Sequence, residues 1–567
     1  MHSVKVGYLS LVASRALGSS RVSRSDLIKV SAGCGVRYSA HQARFCQTAS
    51  TPEETVVIRV PRYLQQRVEN LKQVRGKNTI RTIKAGKLLI QSKNPVLNQS
   101  VGYILGKFEQ PTLCSKGWKH YKSFGDYFTI NSTKAVAPYV AGNQKEDASQ
   151  KPLATFDRFH ISKELVETLD SIGITHPTTV QLQTIPKVMR GHNILCAAET
   201  GSGKTLCYLL PIVQRLLTAK QSQITEETSK NVSALILVPS RELAEQVASV
   251  SRALCDPFGL VTQTLGGGQG VGHIKMTFQR DPADILVSTP GALIKALRRR
   301  YLDLNELSFF VVDEADTMFD PSFSDMLEKI LQHTNIARGP KDTEGLDHKA
   351  QLLVVGATFP GGVGELLNQV TDLGTIVVIR SKMLHYLMPH VKQTFLKVKS
   401  SDKVLELHQA LKMLQQEKPG SAALVFCNKS ATVNWLGYSL DEMGVEHARL
   451  QGEMPAAVRA GIFRSFQKGT VDVLVCTDIA SRGLDTSRVH LVVNYDFPES
   501  HTDYIHRAGR VGRAGGAEDG TVLSFVTHPW DVELVQTIET SARRRTTLPG
   551  MESEIHEPKP KVEDAEK

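Results

Sequence analysis

The chain has 567 residues, more than a single hydrophobic core supports, so its length predicts two or more domains. Hydrophobic residues make up 41% and charged residues 22%, as in globular proteins. Because no apolar run reaches the roughly 20 residues that cross a bilayer, the sequence argues against a membrane span.

The formal net charge of +11 is concentrated at the N-terminus. Residues 1–125 hold 21 Lys and Arg against 5 Asp and Glu, whereas the rest of the chain is mildly acidic. A basic stretch of this kind is either a solvated surface or a segment for targeting or nucleic-acid binding. The sequence alone leaves both interpretations open.

The first fifty residues are rich in arginine and serine and contain one acidic residue, Asp26. This composition is typical of a mitochondrial transit peptide, whereas the apolar stretch Leu9–Val12 is short for a secretory signal. A disordered basic arm that stays on the protein is the alternative. We therefore predict import into the mitochondrial matrix, with its RNA granules or nucleoids as possible sites and the nucleus as the lesser alternative.

From Phe156 onward, short apolar runs alternate with amphipathic stretches, which is typical of βαβ units and parallel sheets. A first series of predicted strands comprises Ala234–Val238, Asp284–Val287, Phe309–Val312 and Leu352–Val355. A second series comprises Ala422–Phe426, Val471–Cys476, Val489–Asn494 and Gly520–Val526. The fold class predicted is α/β, with two tandem parallel-sheet domains.

The composition shifts give a predicted domain order. The segments are a transit peptide (1–50), a basic N-terminal extension (51–150), a first domain (151–380), a linker (381–392), a second domain (393–545) and a disordered tail (546–567).

A glycine-rich loop follows the short apolar stretch Ile194–Ala197 and leads into an apolar helix. Its residues are Ala198, Glu199, Thr200, Gly201, Ser202, Gly203, Lys204 and Thr205. Small residues let backbone N–H groups wrap phosphates, and the helix N-terminus adds a favourable dipole. In this pattern Lys204 reaches the β and γ phosphates of ATP and Thr205 offers its hydroxyl to Mg²⁺.

The apolar run Phe309–Val312 ends in the acidic residues Asp313, Glu314 and Asp316. In an open α/β sheet the carboxyl end of such a strand lies beside the phosphate loop. We expect Asp313 to hold Mg²⁺ through water and Glu314 to orient and deprotonate the attacking water.

The run Asp313-Glu314-Ala315-Asp316 resembles the signature of the DEAD-box family of superfamily 2 helicases, and the resemblance extends from Phe156 to about Phe525. It implies two RecA-like domains, ATP as the nucleotide and RNA as the partner. Gly173–Gln181 is similar to the family's adenine-reading segment, so the resemblance assigns Gln181 and Phe156 to the adenine. Ile174 stands where the family usually has an aromatic residue.

In the second domain, His506–Arg513 resembles the family's last motif. Planar guanidinium groups suit the charge of a transferring γ-phosphate, so Arg510 and Arg513 are the predicted arginine fingers. By resemblance, Asp485 contacts the ribose. His506 is assigned to coupling between the domains, together with Asp316 and Thr358.

The remaining motifs are predicted to line one RNA-binding face across both domains. They contribute the candidate residues Arg241, Gly267, Thr289, Gly291, Gly452 and Thr477. Such residues bind sugar and phosphate without reading bases, so binding is expected to be independent of RNA sequence.

Four positions in the remaining motifs depart from the family's usual pattern. Gly356 replaces a serine, which removes a hydroxyl near the last aspartate of the signature, although Thr358 and Asp316 are expected to pair. Ala292 replaces an arginine, and the residues at 451 and 456 also differ around Gly452. Weaker coupling of hydrolysis to unwinding and a weaker RNA grip are the expected consequences.

The function predicted is an ATP-dependent RNA helicase and RNA-stimulated ATPase. The basic arm and transit-like start resemble vertebrate mitochondrial members linked to the large mitoribosomal subunit, which implies ribosomal RNA or a pre-ribosomal particle, with its assembly proteins, as partners. The alternatives are an ATP-gated RNA clamp or scaffold that barely unwinds, and a DNA helicase.

Overall fold

The computed structural model describes residues 87–106, 108–133, 154–222, 232–267, 283–343, 349–359, 363–382, 384–478, 486–513 and 520–549. The predicted transit peptide, part of the basic extension, Asp485 and most of the predicted tail lie outside these residues. No helix within the described ranges is long and apolar enough to cross a membrane.

The first described segment, residues 87–133, carries three short strands. They are β1 (Leu88–Ser92), β2 (Gln99–Ser100) and β3 (Tyr127–Ile130). Strand β1 pairs in antiparallel fashion with both β2 and β3. This segment falls within the predicted N-terminal extension, for which the sequence predicted no sheet.

The first domain is a seven-stranded sheet in the order β10-β4-β9-β8-β5-β7-β6. All six pairings are parallel. The strands are β4 (Ile194–Ala197), β5 (Ala234–Leu237), β6 (Thr262–Leu265), β7 (Ile285–Ser288), β8 (Phe309–Val312), β9 (Gln351–Gly356) and β10 (Val377–Arg380). Most are continuous apolar runs, as expected for parallel strands buried on both faces.

Helices cover both faces of this sheet. They are α1 (Lys163–Ser171), α2 (Thr179–Met189), α3 (Lys204–Ser222), α4 (Arg241–Cys255), α5 (Pro290–Arg298), α6 (Ala315–Met318), α7 (Pro321–Leu331) and α8 (Val363–Val370). Two separate hydrophobic clusters, one on each side of the strands, form the core of the domain. The parallel arrangement brings the carboxyl ends of the strands, and the loops that follow them, to one edge.

The second domain contributes six parallel strands to a nine-stranded sheet, in the order β13-β14-β12-β15-β16-β11. They are β11 (Lys392–Lys397), β12 (Ala422–Phe426), β13 (Ala448–Leu450), β14 (Val473–Cys476), β15 (Val489–Asn494) and β16 (Thr521–Val526). Its helices are α9 (Lys403–Glu417), α10 (Ser430–Glu442), α11 (Ala456–Lys468), α12 (His501–Ala508) and α13 (Asp531–Arg544). The predicted class of two parallel-sheet α/β domains is confirmed.

The N-terminal segment completes the second sheet, because β3 pairs in antiparallel fashion with β11. Phe128 of β3 is fully buried and stacks on Phe395 of β11, with ring centroids 4.8 Å apart. Trp118 is 1% exposed and packs beside Phe128. The second sheet is therefore mixed, and part of its core comes from residues that the sequence placed outside the domain.

Candidate functional site

The predicted phosphate loop connects β4 to α3. Gly201 and Gly203 have φ angles of 78° and 83°, in the left-handed region that favours glycine. The ammonium of Lys204 donates to the carbonyl oxygens of Ala198 and Glu199, at 2.7 and 2.9 Å. The lysine therefore lies inside the curve of the loop. A bound phosphate would compete with these two carbonyl oxygens for its ammonium group.

Two side chains brace this loop. The hydroxyl of Ser202 is buried and donates to the Glu199 carbonyl at 2.7 Å. The hydroxyl of Ser381, which follows β10, donates to the Glu199 carboxylate at 2.7 Å. Glu199 and Ser202, which the sequence placed in the phosphate loop, thus help to shape that loop.

The predicted adenine segment packs directly against the phosphate loop. Thr178 and Gln181 form a capping box at the start of α2, in which the Gln181 side-chain oxygen accepts from the Thr178 backbone at 2.8 Å. The side-chain nitrogen of Gln181 donates to the Gly203 carbonyl at 2.9 Å. Both ends of the Gln181 amide are hydrogen-bonded. In this conformation Gln181 therefore links the adenine segment to the phosphate loop, and its amide is not free to bind a base.

Phe156 is 1% exposed and lies edge-to-face with Phe159, at a centroid distance of 5.9 Å. It belongs to the core of the first domain. In this conformation the ring has no face open to a base, and its assignment to the adenine stays a prediction.

Asp313 lies at the carboxyl end of β8 and is held by two donors. The Tyr208 hydroxyl donates to one carboxylate oxygen and the Glu314 backbone N–H to the other, each at 2.8 Å. Burial raises the pKa of Asp313, while the two donors oppose that rise. Tyr208 lies three residues after Thr205 on α3, so the Thr205 hydroxyl is on the helix face that meets Asp313. A hydroxyl and a carboxylate on one side of the loop fit a hard divalent cation.

Glu314 has φ 49° and ψ 54°, a left-handed conformation that is uncommon for a residue with a side chain. This turn directs the chain from β8 into α6. Burial raises the pKa of Glu314, and the nearby positive charge of Arg510 opposes the rise. A carboxylate from the first domain and a guanidinium from the second therefore interact across the cleft.

Asp316 meets the second domain through His506. Nε2 of His506 lies 2.7 Å from a carboxylate oxygen of Asp316, and both side chains are largely buried. Burial acts to raise the pKa of Asp316, but the interaction with His506 outweighs it and holds the pKa below the ordinary value. The predicted coupling residues Asp316 and His506 are thus in contact.

The predicted pairing of Thr358 with Asp316 is wrong for this conformation, since no hydrogen bond joins them within the described part of the chain. Asp316 is turned toward His506 instead. A Cβ added at Gly356 would lie 3.0 Å from both the Ala315 Cβ and the Thr358 carbonyl oxygen. Glycine at 356 therefore allows β9 to pack closely against the turn that carries the Asp313–Asp316 signature.

The two domains also meet at the phosphate loop. The Thr200 hydroxyl lies 3.5 Å from the Gly509 carbonyl oxygen, and Gly201 packs against the side chain of Arg513. Arg510 is 3% exposed. The two predicted arginine fingers therefore lie at the face of the first domain that carries the loop and the acidic residues.

Arg507 connects the predicted motifs of the second domain. It is 2% exposed and forms a two-pronged ion pair with Asp478, at 2.7 and 2.6 Å. It also donates to the Asn428 side chain at 2.7 Å and to the Asp496 carbonyl at 2.8 Å. One buried arginine thus holds three loops in place.

In the first domain, the predicted RNA-binding residues come from three neighbouring loops. Arg241 starts α4 and its side chain packs on Gly266, while Gly267 lies next to the Thr289 hydroxyl. Thr289 precedes α5, in which Gly291 is exposed. The structure brings these predicted residues together at the carboxyl edge of the sheet.

Across the cleft, Gly452 and Thr477 follow β13 and β14 of the second domain. Nε of Arg459 donates to the Glu242 carboxylate and Nη1 to the Gly452 carbonyl, each at 2.9 Å. Glu242 is the residue after Arg241 of the first domain. This ion pair therefore joins the two domains beside their predicted RNA-binding residues.

Tyr208, Arg507, Glu242 and Arg459 were not among the predicted site residues. Glu242 and Arg507 stood beside predicted ones, but their partners lie far away in the sequence. Tyr208 occupied an apolar helix in which an aromatic residue indicates core packing. Asp485, predicted to contact the ribose, lies outside the described residues.

Two family patterns match the sequence. The DEAD/DEAH box helicase pattern matches residues 178–366, and the Helicase conserved C-terminal domain matches residues 402–515. The human protein named "Probable ATP-dependent RNA helicase DDX28" is 49% identical over 525 residues, covering 91% of this chain and 95% of the relative. The ATP-dependent rRNA helicase RRP3 of Encephalitozoon cuniculi is 33% identical over 391 residues, covering 69% and 90%.

Solved structures share the fold. Dbp5 of S. cerevisiae bound to RNA and ADP BeF3 has a TM-score of 0.57 at 23% identity, covering 70% of this chain and 94% of that one. Mss116p bound to ssRNA and AMP-PNP has a TM-score of 0.58 at 23% identity, covering 73% and 82%. The predicted RecA-like fold is thus confirmed. With both family patterns and the relatives over most of its length, the chain belongs to the DEAD-box family of ATP-dependent RNA helicases.

Proposed function

We propose that this protein hydrolyses ATP in the cleft between its two domains and uses the closure of that cleft to grip and remodel RNA. The observation that carries the proposal is the meeting of the two half-sites. The loop Ala198–Thr205 and the acidic residues come from one domain, and Arg510 and Arg513 reach them from the other. Hydrolysis then requires closure.

In the proposed reaction, Lys204 and the loop N–H groups bind the β and γ phosphates, with Gln181 at the adenine. Thr205 and Asp313 would hold Mg²⁺, which would neutralise charge on the phosphates when bound. Glu314 accepts a proton from the attacking water. Burial raises its pKa, which makes it a stronger base than an exposed carboxylate.

Arg510 and Arg513 stabilise the charge that develops on the γ-phosphate. Since both belong to the segment after α12, the contact of His506 with Asp316 is suited to report closure to the catalytic groups. Binding, catalysis and coupling are thus all assigned to side chains around the one cleft between the domains.

RNA is proposed to lie across the loops that carry Arg241, Gly267, Thr289 and Gly291 in one domain and Gly452 and Thr477 in the other. Backbone groups and hydroxyls at these positions suit sugar and phosphate, which favours grip without base recognition. The Glu242–Arg459 ion pair brings the two sets together when the domains meet.

For the cellular role, we propose the mitochondrial matrix as the site of action and ribosomal RNA or an assembling large ribosomal subunit as the substrate. The support for the location is the arginine-rich, acid-poor start of the chain. The support for the substrate is the 33% identity to the ATP-dependent rRNA helicase RRP3. Nuclear location is the competing proposal. Import assays with residues 1–50 deleted separate them, because matrix targeting requires that the deletion abolish import.

A second candidate is an ATP-gated RNA clamp that unwinds little. It is favoured by Gly356 and by the absence, within the described residues, of a hydrogen bond between Thr358 and Asp316. Such a protein would hold RNA while ATP is bound and release it after hydrolysis.

The deciding experiment measures ATP hydrolysis with and without RNA, and strand separation of a short duplex, for the parent protein and Glu314→Gln. RNA-stimulated hydrolysis that Glu314→Gln abolishes is the expected result. Equal rates from the two proteins would contradict the enzymatic proposal. Stimulated hydrolysis without strand separation would favour the clamp, and equal stimulation by DNA would contradict RNA as the preferred partner.

A further inference from the structure

Helix α5 has one buried face and one exposed face. Ala292, Leu293 and Ala296 pack into the core of the first domain. The exposed positions are Gly291, Lys295 and Arg298, together with Arg299, which directly follows the last helical residue. Their spacing of four, seven and eight residues from Gly291 places them along one side of the helix. The exposed side thus begins at the predicted RNA contact and continues as a row of cations.

Among the described residues, these cations have no carboxylate partner. Lys295, Arg298 and Arg299, with Arg300 next to them, form no ion pair or side-chain hydrogen bond with any part of the chain that the structure describes. Protein surfaces usually mix charges of both signs, and unpaired like charges on one helix face repel one another. An anionic partner would relieve that repulsion.

The helix dipole offers a structural explanation, because cations near a helix C-terminus interact favourably with the negative end of the dipole. That interaction accounts for basic residues in the last turn. It does not by itself require that they align with Gly291 on the exposed side. The dipole and a binding role therefore lead to different experimental results.

We propose that the α5 basic face, made of Lys295, Arg298 and Arg299, binds the phosphates of RNA that continues beyond the strand gripped at Thr289 and Gly291. The face is continuous with that grip and extends about 12 Å from Gly291 to Arg299 at 1.5 Å per residue. Guanidinium groups match the geometry of phosphate oxygens. This inference rests on the proposed RNA grip and extends it.

The proposal also explains where the positive charge of this helix lies. At position 292, where the family usually has an arginine, Ala292 is 3% exposed and faces the core. Alanine at this position supplies no charge to the surface. The helix carries its exposed charge at its far end instead, so contact with RNA is moved away from the grip.

The test uses the full chain with Lys295→Gln, Arg298→Gln and Arg299→Gln combined. Glutamine keeps the helix propensity and removes the charge. The matched control combines Lys163→Gln, Lys329→Gln and Lys412→Gln, three exposed lysines on other helices whose ammonium groups form no ion pair or hydrogen bond among the described residues. Two RNAs are compared, a single strand of roughly 10 nucleotides and the same strand continued into a hairpin.

We expect the α5 variant to bind the hairpin RNA about tenfold more weakly at physiological salt, with the slope of log affinity against log salt reduced by about 2. Binding of the short strand and the ATPase rate at saturating short strand stay at the parental values. The control variant keeps parental binding of both RNAs.

Three results would overturn the proposal: parental hairpin binding by the α5 variant, an equal loss on both RNAs, or an equal loss in the control. Parental RNA binding combined with a lower unfolding temperature would indicate the helix-dipole role or a different, protein partner. Stimulation of the parent's ATPase by the short strand tests the proposed function separately.

Discussion

The two sheets differ in where their strands come from. The first sheet is built entirely from strands between Ile194 and Arg380. The second continues past β11 into the N-terminal strands, where the hydroxyls of Thr129 and Thr394 lie 3.1 Å apart although 265 residues separate them in sequence. The first domain is thus complete within its own stretch of chain, whereas the second depends on a segment that precedes both domains.

For the proposed catalytic groups, it is the first domain that depends on the second. The first domain holds the phosphate loop and the acidic residues, but Arg510 and Arg513 come from the second. The N-terminal segment supports that contribution, because Phe128 stacks on Phe395, which in turn stacks on Tyr504 of α12 at 5.8 Å. In the proposed mechanism the first domain depends on the second for its arginines, whereas in the fold the second domain depends on the N-terminal segment for part of its core.

The largest expected effect tests the missing catalytic groups. We expect Arg510→Gln to lower RNA-stimulated ATP hydrolysis by about 10³-fold or more, as for other arginine fingers. The pH profile provides a second measurement. Glu314 acts in its deprotonated form, so activity falls as pH drops through its raised pKa, and the acidic limb lies above the ordinary value of 4.5.

Because the positive charge of Arg510 lowers the pKa of Glu314, its removal raises that pKa and shifts the acidic limb of the residual activity to higher pH. Arg510→Lys keeps the charge and serves as the control, with little shift of the limb. A limb that stays in place in Arg510→Gln would contradict the electrostatic contact between the domains.

The next largest expected effect tests the part of the second domain's core that the N-terminal segment supplies. We expect Phe128→Ala to lower the free energy of unfolding of the second domain by about 3–5 kcal/mol, the usual cost of removing a fully buried aromatic ring. All three tryptophans, Trp118, Trp435 and Trp530, lie in the second domain or in the N-terminal segment. Denaturant titration followed by tryptophan fluorescence therefore reports on this part of the molecule.

Tyr121→Ala is the matched control, since Tyr121 lies in the same segment but is 69% exposed. Hydrogen exchange in β8 follows the first domain and stays unchanged in both variants. A loss of protection in β8 equal to the loss in the second domain would show that the domains unfold as one unit and that the contrast between them is wrong.

Sequence patterns predicted four strands in each domain, because parallel strands buried on both faces read as apolar runs. Strands β6, β10, β11 and β13 were not predicted. Phe309–Val312 was predicted with the bounds that the structure has. Strand β3 is only four residues long, and its partner β11 lies in a distant part of the chain. Nothing local in Tyr127–Ile130 indicates that partner, so the N-terminal segment was predicted only as an extension.

The candidate site also has a part that local sequence patterns predict and a part that they do not. The loop Ala198–Thr205 and Asp313 were identifiable because their chemistry depends on local spacing. The contact of Glu242 with Arg459 depends on how two domains meet, and the buried position of Ala292 depends on the orientation of α5. Position relative to the rest of the molecule is the information that a local motif lacks.

A third prediction concerns the polar contacts that attach the N-terminal segment. Glu539 of α13 is fully buried and accepts from the backbone N–H groups of Cys114 and Ser115, at 2.8 and 3.1 Å, and from Arg543 at 2.8 Å. Glu539→Ala leaves Arg543 buried without its carboxylate, so we expect a loss of about 3–5 kcal/mol in the same fluorescence titration.

Glu533→Ala is the control from the same helix. Glu533 also pairs with the N-terminal segment, through Lys119 at 2.8 Å, but both side chains are exposed. Exposed ion pairs contribute little, so this variant is expected to unfold at the parental denaturant concentration. If the two variants behaved alike, burial of the Glu539 network would not be what attaches the segment.

The smallest effect lies within the first domain, where Tyr208 holds the carboxylate of Asp313. Tyr208→Phe keeps the ring and removes the hydroxyl that donates at 2.8 Å. A carboxylate that has lost one of its two donors is less well oriented for a cation. We expect the Mg²⁺ concentration for half-maximal ATP hydrolysis to rise about tenfold, as when the outer partners of metal ligands are removed.

Nucleotide binding measured across a Mg²⁺ titration gives a second readout that does not depend on turnover, and it should shift in the same direction. Cys207→Ala is the control, because Cys207 is the neighbouring buried residue on α3 and makes no hydrogen bond to Asp313. An unchanged Mg²⁺ dependence in Tyr208→Phe would mean that the hydroxyl only satisfies a buried carboxylate. A reduced Mg²⁺ requirement would mean that it competes with the cation for the same oxygen, so that the first domain restrains its own metal site until the second domain closes on it.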